Sequence, residues 1–130
     1  MMFSSLSRSF VRTAVFAVLI ASASGSRAQL LNTDDTSANA VFFGCKAFVE
    51  GQATNAQSLM MSNFCSGVVH GLAYVGKALP PQVRYCAPPT STAQQLARVA
   101  VQYIQANPQR MHEDFRELTM EAFHYAWPCN

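Results

Sequence analysis

The sequence predicts an all-α fold, a compact four-helix domain made of two helical hairpins and stapled by two disulfides. Three observations predict it. Apolar residues recur at helical spacing through four stretches, strand signals are absent, and four cysteines sit at symmetric distances from two turns. In an antiparallel hairpin, residues equidistant from the turn lie side by side. Cys86 and Cys129 are equidistant from the Asn107-Pro108 turn, and Cys45 and Cys65 from Asn55 at the end of the 51–55 turn. Of three possible pairings, geometry therefore favours Cys45–Cys65 and Cys86–Cys129.

The first segment stands apart from this domain. Residues 1–12 carry Arg8 and Arg12 and no acid, and residues 13–23 are an unbroken small-and-apolar run, short for a bilayer span. Together they read as the basic and apolar parts of a secretory signal. Ser26-Arg27-Ala28 offers a cleavage site, with Ala21-Ser22-Ala23 as a second choice. The expected division is a signal peptide at 1–28 and a helical domain at 29–130; an uncleaved N-terminal anchor is the alternative. Export makes oxidised cysteines the default.

Of the 9 Lys and Arg residues in the 130-residue chain, Arg8, Arg12 and Arg27 leave with the signal, so six face all 7 acids. A near-neutral domain lacks the basic stripe that nucleic-acid binding needs. At ~100 residues it buries only about 65% of its unfolded surface, which is why covalent staples are useful.

Residues 29–36 form a polar lead-in. Ser37 caps a first helix running to about Glu50, with Val41, Cys45 and Phe48 on one face and Gly51 at its end. A second helix runs from about Ala56 to Ala78, with Met60, Phe64, Val68, Leu72 and Val75 keeping helical period; Leu79-Pro80-Pro81 ends it. The pairs Phe42-Phe43 and Met60-Met61 are read as core. Gly67 and Gly71 lie inside this helix at a cost of about 1 kcal/mol each relative to Ala, which predicts a close helix crossing or a dimer seam on that face. Between the Pro pairs at 80–81 and 88–89, Arg84 and Tyr85 sit on a stiff exposed loop and are the candidate partner-binding anchors. A plain connector is the other reading of that loop.

Ser91 or Thr92 caps the third helix, with Gln94 or Gln95 completing a capping box, and Leu96, Val99, Tyr103 and Ala106 recur along it. Asn107 stops it and caps the fourth, with Pro108 at the first helical position. The fourth helix carries Met111, Phe115, Leu118, Ala122 and Tyr125 on one face. Glu113, Asp114, Glu117 and Glu121 form its solvated side, paired with Arg110 and Arg116.

Little in the chain points to catalysis. Cys65-Ser66-Gly67 lacks the first glycine of a nucleophile elbow. A cysteine nucleophile with His70, His112 or His124 needs a free thiolate, against the even cysteine count. His112-Glu113 opens like a zincin motif, but Phe115 and Arg116 follow where the second histidine belongs. No Cys-x-x-Cys is present, so zinc is not expected, nor is any other metal or cofactor. The profile is that of a binding protein rather than an enzyme.

Phe64-Cys65-Ser66-Gly67 with Gly71, then Cys86-Ala87-Pro88 and Gln94, then Val99, Tyr103, Asn107-Pro108, His112, Leu118, Ala122 and the closing Trp127-Pro128-Cys129, resemble the Rap/Tai immunity family. The resemblance runs from about Phe43 to Cys129. It implies a periplasmic helical protein that binds and inhibits a peptidoglycan amidase effector of a type VI secretion system, without catalysis of its own. It also makes a homodimer plausible. The alternative is an orphan periplasmic helical protein acting as a chaperone or accessory binding subunit.

Overall fold

The computed structural model describes residues 35–130. The expected signal peptide at 1–28 and the part of the polar lead-in before Asp35 lie outside the described residues. Four helices follow: α1 (Ala38–Glu50), α2 (Ala56–Val75), α3 (Ala93–Ala106) and α4 (Phe115–Ala126), with single 3₁₀ turns at Gly76–Ala78 and Pro108–Arg110. α1 and α2 form one hairpin, α3 and α4 the other, and α3 packs against all three remaining helices.

The helix ends follow local chemistry. Ser37 caps α1, and Gly51 closes it in the left-handed conformation, φ 69°, where a side chain is strained. Asn55 and Ser58 form a reciprocal capping box on α2, and Thr92 and Gln95 form the one expected on α3. Both disulfides occur in the favoured pairing, with Cα atoms 5.2 Å apart for Cys45–Cys65 and 5.1 Å for Cys86–Cys129.

The fourth helix begins later than the sequence suggests. Pro108 opens the 3₁₀ turn instead, and α4 waits for Asp114, whose carboxylate accepts the Arg116 N–H at 2.8 Å. The reason is tertiary. The lead-in crosses this segment, with Phe115 N donating to the Thr36 carbonyl, Ala38 N to that of Glu113 and Asn39 N to that of Met111, each at 2.8 Å. Residues 111–114 are held out of the helix by that pairing. A second tie sits at the other end, where Cys86 N donates to the Trp127 carbonyl beside the second disulfide.

The core joins Val41, Cys45, Cys65, Val69, Leu96, Ala100, Ile104, Phe115, Leu118 and Phe123. On α2 the buried stripe is Ser62, Cys65 and Val69, one step round from the expected one, which leaves Met60, Phe64 and Val75 substantially exposed. Cys65 must face its partner on α1, and the Ser62 hydroxyl donates to the Gly44 carbonyl at 3.0 Å, so a polar residue is satisfied in the interior. Phe42 is buried, but its neighbour Phe43 is 71% exposed, because adjacent helical residues point about 100° apart.

The close helix approach also falls elsewhere than expected. A Cβ on Gly67 or Gly71 would meet nothing within 4 Å. Gly44 is the glycine that lets α1 and α2 touch: a Cβ there would lie 2.7 Å from the Met61 carbonyl carbon. The crossing that Gly67 and Gly71 suggest is therefore not made among the described residues.

Candidate partner-binding groove

On α4, Glu117, Met120, Glu121, His124 and Tyr125 follow the spacing i, i+3, i+4, i+7 and i+8, which places them on one outward stripe. Tyr103 faces this stripe from α3, and Gln82 and Val83 close it from the loop after α2. Together they line an open groove of about 560 Å³, mostly apolar. Val83 is 48% and Tyr125 83% exposed, so both apolar side chains are available to a partner.

One wall is held by charge. Arg110 donates from Nη1 and Nη2 to the Glu121 carboxylate and from Nε and Nη2 to that of Glu113, while the Tyr103 hydroxyl donates to Glu121 Oε2 at 2.8 Å. The Arg110 hydrogen bonds hold the Glu121 and Glu113 carboxyls below their ordinary range, and the carboxylates raise the Arg110 guanidinium in turn. Desolvation, then the hydrogen bond to Glu121, raises the Tyr103 phenol. Each link is partly exposed and individually weak; the fork geometry ties the 108–113 turn to α3 and α4. At the far end, His124 Nδ1 donates to the Arg84 carbonyl at 2.7 Å, fixing the loop to α4.

The anchor residues read from the loop are arranged differently from the sequence expectation. Tyr85 is 0% exposed; its hydroxyl donates to the Leu72 carbonyl at 2.8 Å and its ring meets Phe123 edge-on at 5.4 Å. Arg84 is half-buried, its Nε donating to the Leu79 carbonyl. Tyr85 is thus a core pillar, unavailable to a partner. The loop does present an apolar side chain, but it is Val83.

All four cysteines are in disulfides, so none serves as a thiolate nucleophile. Among the described residues no three His, Cys, Asp or Glu side chains gather as a metal site, and no helix is long and apolar enough to cross a membrane. A second, smaller hollow of about 380 Å³ lies between α2 and the 87–91 segment, near His70 and Lys77.

Sequence reasoning missed Glu117, Met120, His124 and Tyr125 as groove residues, although their helical spacing was in the sequence. It ran α4's apolar face through Tyr125, whereas Phe123 takes the interior position.

No curated protein and no solved structure matches the chain significantly. A family model described as Rap1a immunity proteins matches residues 32–129, nearly the whole helical domain including both disulfides. The chain belongs to the Rap1a immunity protein family.

Proposed function

We propose that this protein acts in the periplasm, after removal of residues 1–28, as an immunity protein that binds and inhibits a peptidoglycan amidase delivered by a type VI secretion system. The observation that carries the reading is family membership across residues 32–129. The signal-like first segment and the two disulfides are consistent with it, since bonds of this kind persist in oxidising compartments. The mechanism is occlusion: a stapled scaffold holds a preformed surface that covers the effector's cleft, so little ordering entropy opposes binding.

The same reading includes a homodimer seated on the outward face of α2. Gly67 and Gly71 are open there, Phe64 and Tyr74 are exposed, and the helix has no charged residue over its 20 positions.

The test uses the oxidised mature protein and a small amidase encoded beside its gene. Peptidoglycan cleavage is measured as the protein is titrated in. Loss of cleavage at a stoichiometric ratio is expected, reversed when both disulfides are reduced. Undiminished cleavage, together with protection of many unfolded clients at low pH, would overturn the reading in favour of a periplasmic chaperone.

A further inference from the structure

The groove between α3, α4 and the 80–83 turn has a chemistry of its own. Its floor is apolar, from Val83, Met120 and Tyr125. Its volume of about 560 Å³ lies within the range of about 300–1,000 Å³ typical of specific ligand pockets. The charges around it are unbalanced. Among the described residues, Arg110 is the guanidinium that braces this wall, and it is shared between Glu113 and Glu121. Glu117 lines the same groove, one helical turn before Glu121, and makes no hydrogen bond or ion pair within the described chain. Arg116 lends Glu117 only a weaker Coulombic attraction, because its guanidinium is hydrogen-bonded to Asp114. The Nδ1 proton of His124 is taken up in a hydrogen bond to the Arg84 carbonyl.

An apolar floor under one unspent carboxylate, flanked by the rings of Tyr103 and Tyr125, fits a side chain with an aliphatic stem and a cationic head. We infer that this groove docks an arginine or lysine of the bound effector beside an apolar residue, with the cation against Glu117 and its stem along Val83 and Tyr125. A guanidinium there gains a charge-assisted hydrogen bond and an aromatic face together. An acidic segment would instead meet Glu117 and Glu121 as like charges. The inference deepens the immunity reading by naming the chemistry of its partner, and it rests on that reading only for the partner's identity.

The test does not need the effector. The isotope-labelled, oxidised mature protein is titrated with the capped dipeptide Ac-Phe-Arg-NH2, then with its charge-reversed counterpart Ac-Phe-Glu-NH2, and backbone amide shifts are followed by two-dimensional NMR. Shifts confined to Val83, Glu117, Met120 and Tyr125 are expected with the cationic peptide alone. Glu117→Gln is expected to weaken that binding about three- to fivefold, the worth of one partly exposed ion pair, with unchanged thermal stability. Glu117→Lys is expected to abolish it. Equal shifts with both peptides, shifts scattered over the surface, or undiminished binding to Glu117→Lys would overturn the assignment. Such a result would leave the immunity reading standing, since that reading is decided separately by loss of amidase cleavage.

Discussion

Tyr85 separates a structural role from a binding role with one pair of substitutions. Its ring fills space against Phe123 and Gly76, where a Cβ would lie 2.9 Å from the tyrosine Cζ, and its hydroxyl meets the Leu72 carbonyl. Tyr85→Phe removes only the hydrogen bond. Because the Gly76 N–H also donates to the Leu72 carbonyl, that oxygen keeps a partner, and the cost is expected near 1 kcal/mol. Tyr85→Ala empties the site as well, and large-to-small changes of a buried aromatic cost about 3–5 kcal/mol. A domain of this size has about 5–15 kcal/mol of stability in all. At about 4–8 °C per kcal/mol, Tyr85→Phe should lower the melting midpoint by about 4–8 °C and Tyr85→Ala by roughly 12–40 °C. Circular dichroism of the oxidised proteins at matched concentration measures both. Burial also pushes the Tyr85 phenol up to about 12 from 10.0. A raised pKa means that the folded state holds the proton more tightly than the unfolded one. The stabilisation it gives is complete below pH 10 and is lost as the pH climbs toward 12. The parent protein should therefore lose more stability across that window than Tyr85→Phe does. An unchanged midpoint for Tyr85→Ala combined with lost effector inhibition would refute this reasoning and return Tyr85 to the surface.

Asp114→Ala should cost about 1–2 kcal/mol, since it removes the cap of α4 and the acceptor for the Thr36 hydroxyl. Hydrogen bonds from Arg116 first, and from Thr36, hold the Asp114 carboxyl well below 3.8; the parent's advantage over this variant should be full above that pH and shrink as acid titration falls through the lowered folded value. Gly44→Ala should destabilise by about 1–3 kcal/mol through overpacking against Met61, as urea unfolding would report. Gly67→Ala and Gly71→Ala should each stabilise the monomer by up to about 1 kcal/mol, because nothing opposes the added methyl. Replacing both cysteines of a pair by alanine should cost roughly 3 kcal/mol for Cys45–Cys65 and roughly 4 for Cys86–Cys129, which closes the longer loop; denaturant midpoints of the two double variants would show the order.

The four helices, three of their caps and both disulfides were legible in the sequence, because each rests on local chemistry: Ser37 before α1, Gly51 after it, Thr92 with Gln95, and cysteines placed symmetrically about turns. The start of α4 was not, since Asn107-Pro108 is a good helix opening on its own terms. The competing signal was Asp114, with Glu117 three residues on, and what decided between them was the entry into α1, Thr36 to Asn39, lying across the segment. The buried stripe of α2 was missed for a related reason. Without a charged residue to mark the solvent side, two neighbouring apolar stripes have the same period, and only the bond from Cys65 to Cys45 selects one. In the 80–89 loop, an aromatic residue between Pro pairs has the composition of an exposed anchor. Burial of Tyr85 depends on the Leu72 carbonyl and the space above Gly76, neither of which is near it in sequence.

The rotation of α2 has a consequence for what the protein presents. Two interior glycines cost the helix about 1 kcal/mol each, and neither cost is offset by a neighbour among the described residues. Met60 and Phe64 lie exposed on the same helix, and Phe43 is exposed on the adjoining α1. If a second copy covers this face, Gly67→Leu should convert a concentration-dependent dimer into a monomer of undiminished helicity, because the leucine points into space that only a partner occupies. Sedimentation reads the first property and circular dichroism the second. A parent that sediments as a monomer at all concentrations would instead leave the glycine cost unexplained by self-association. That result would overturn the dimer reading, with the effector still expected at the groove between α3 and α4.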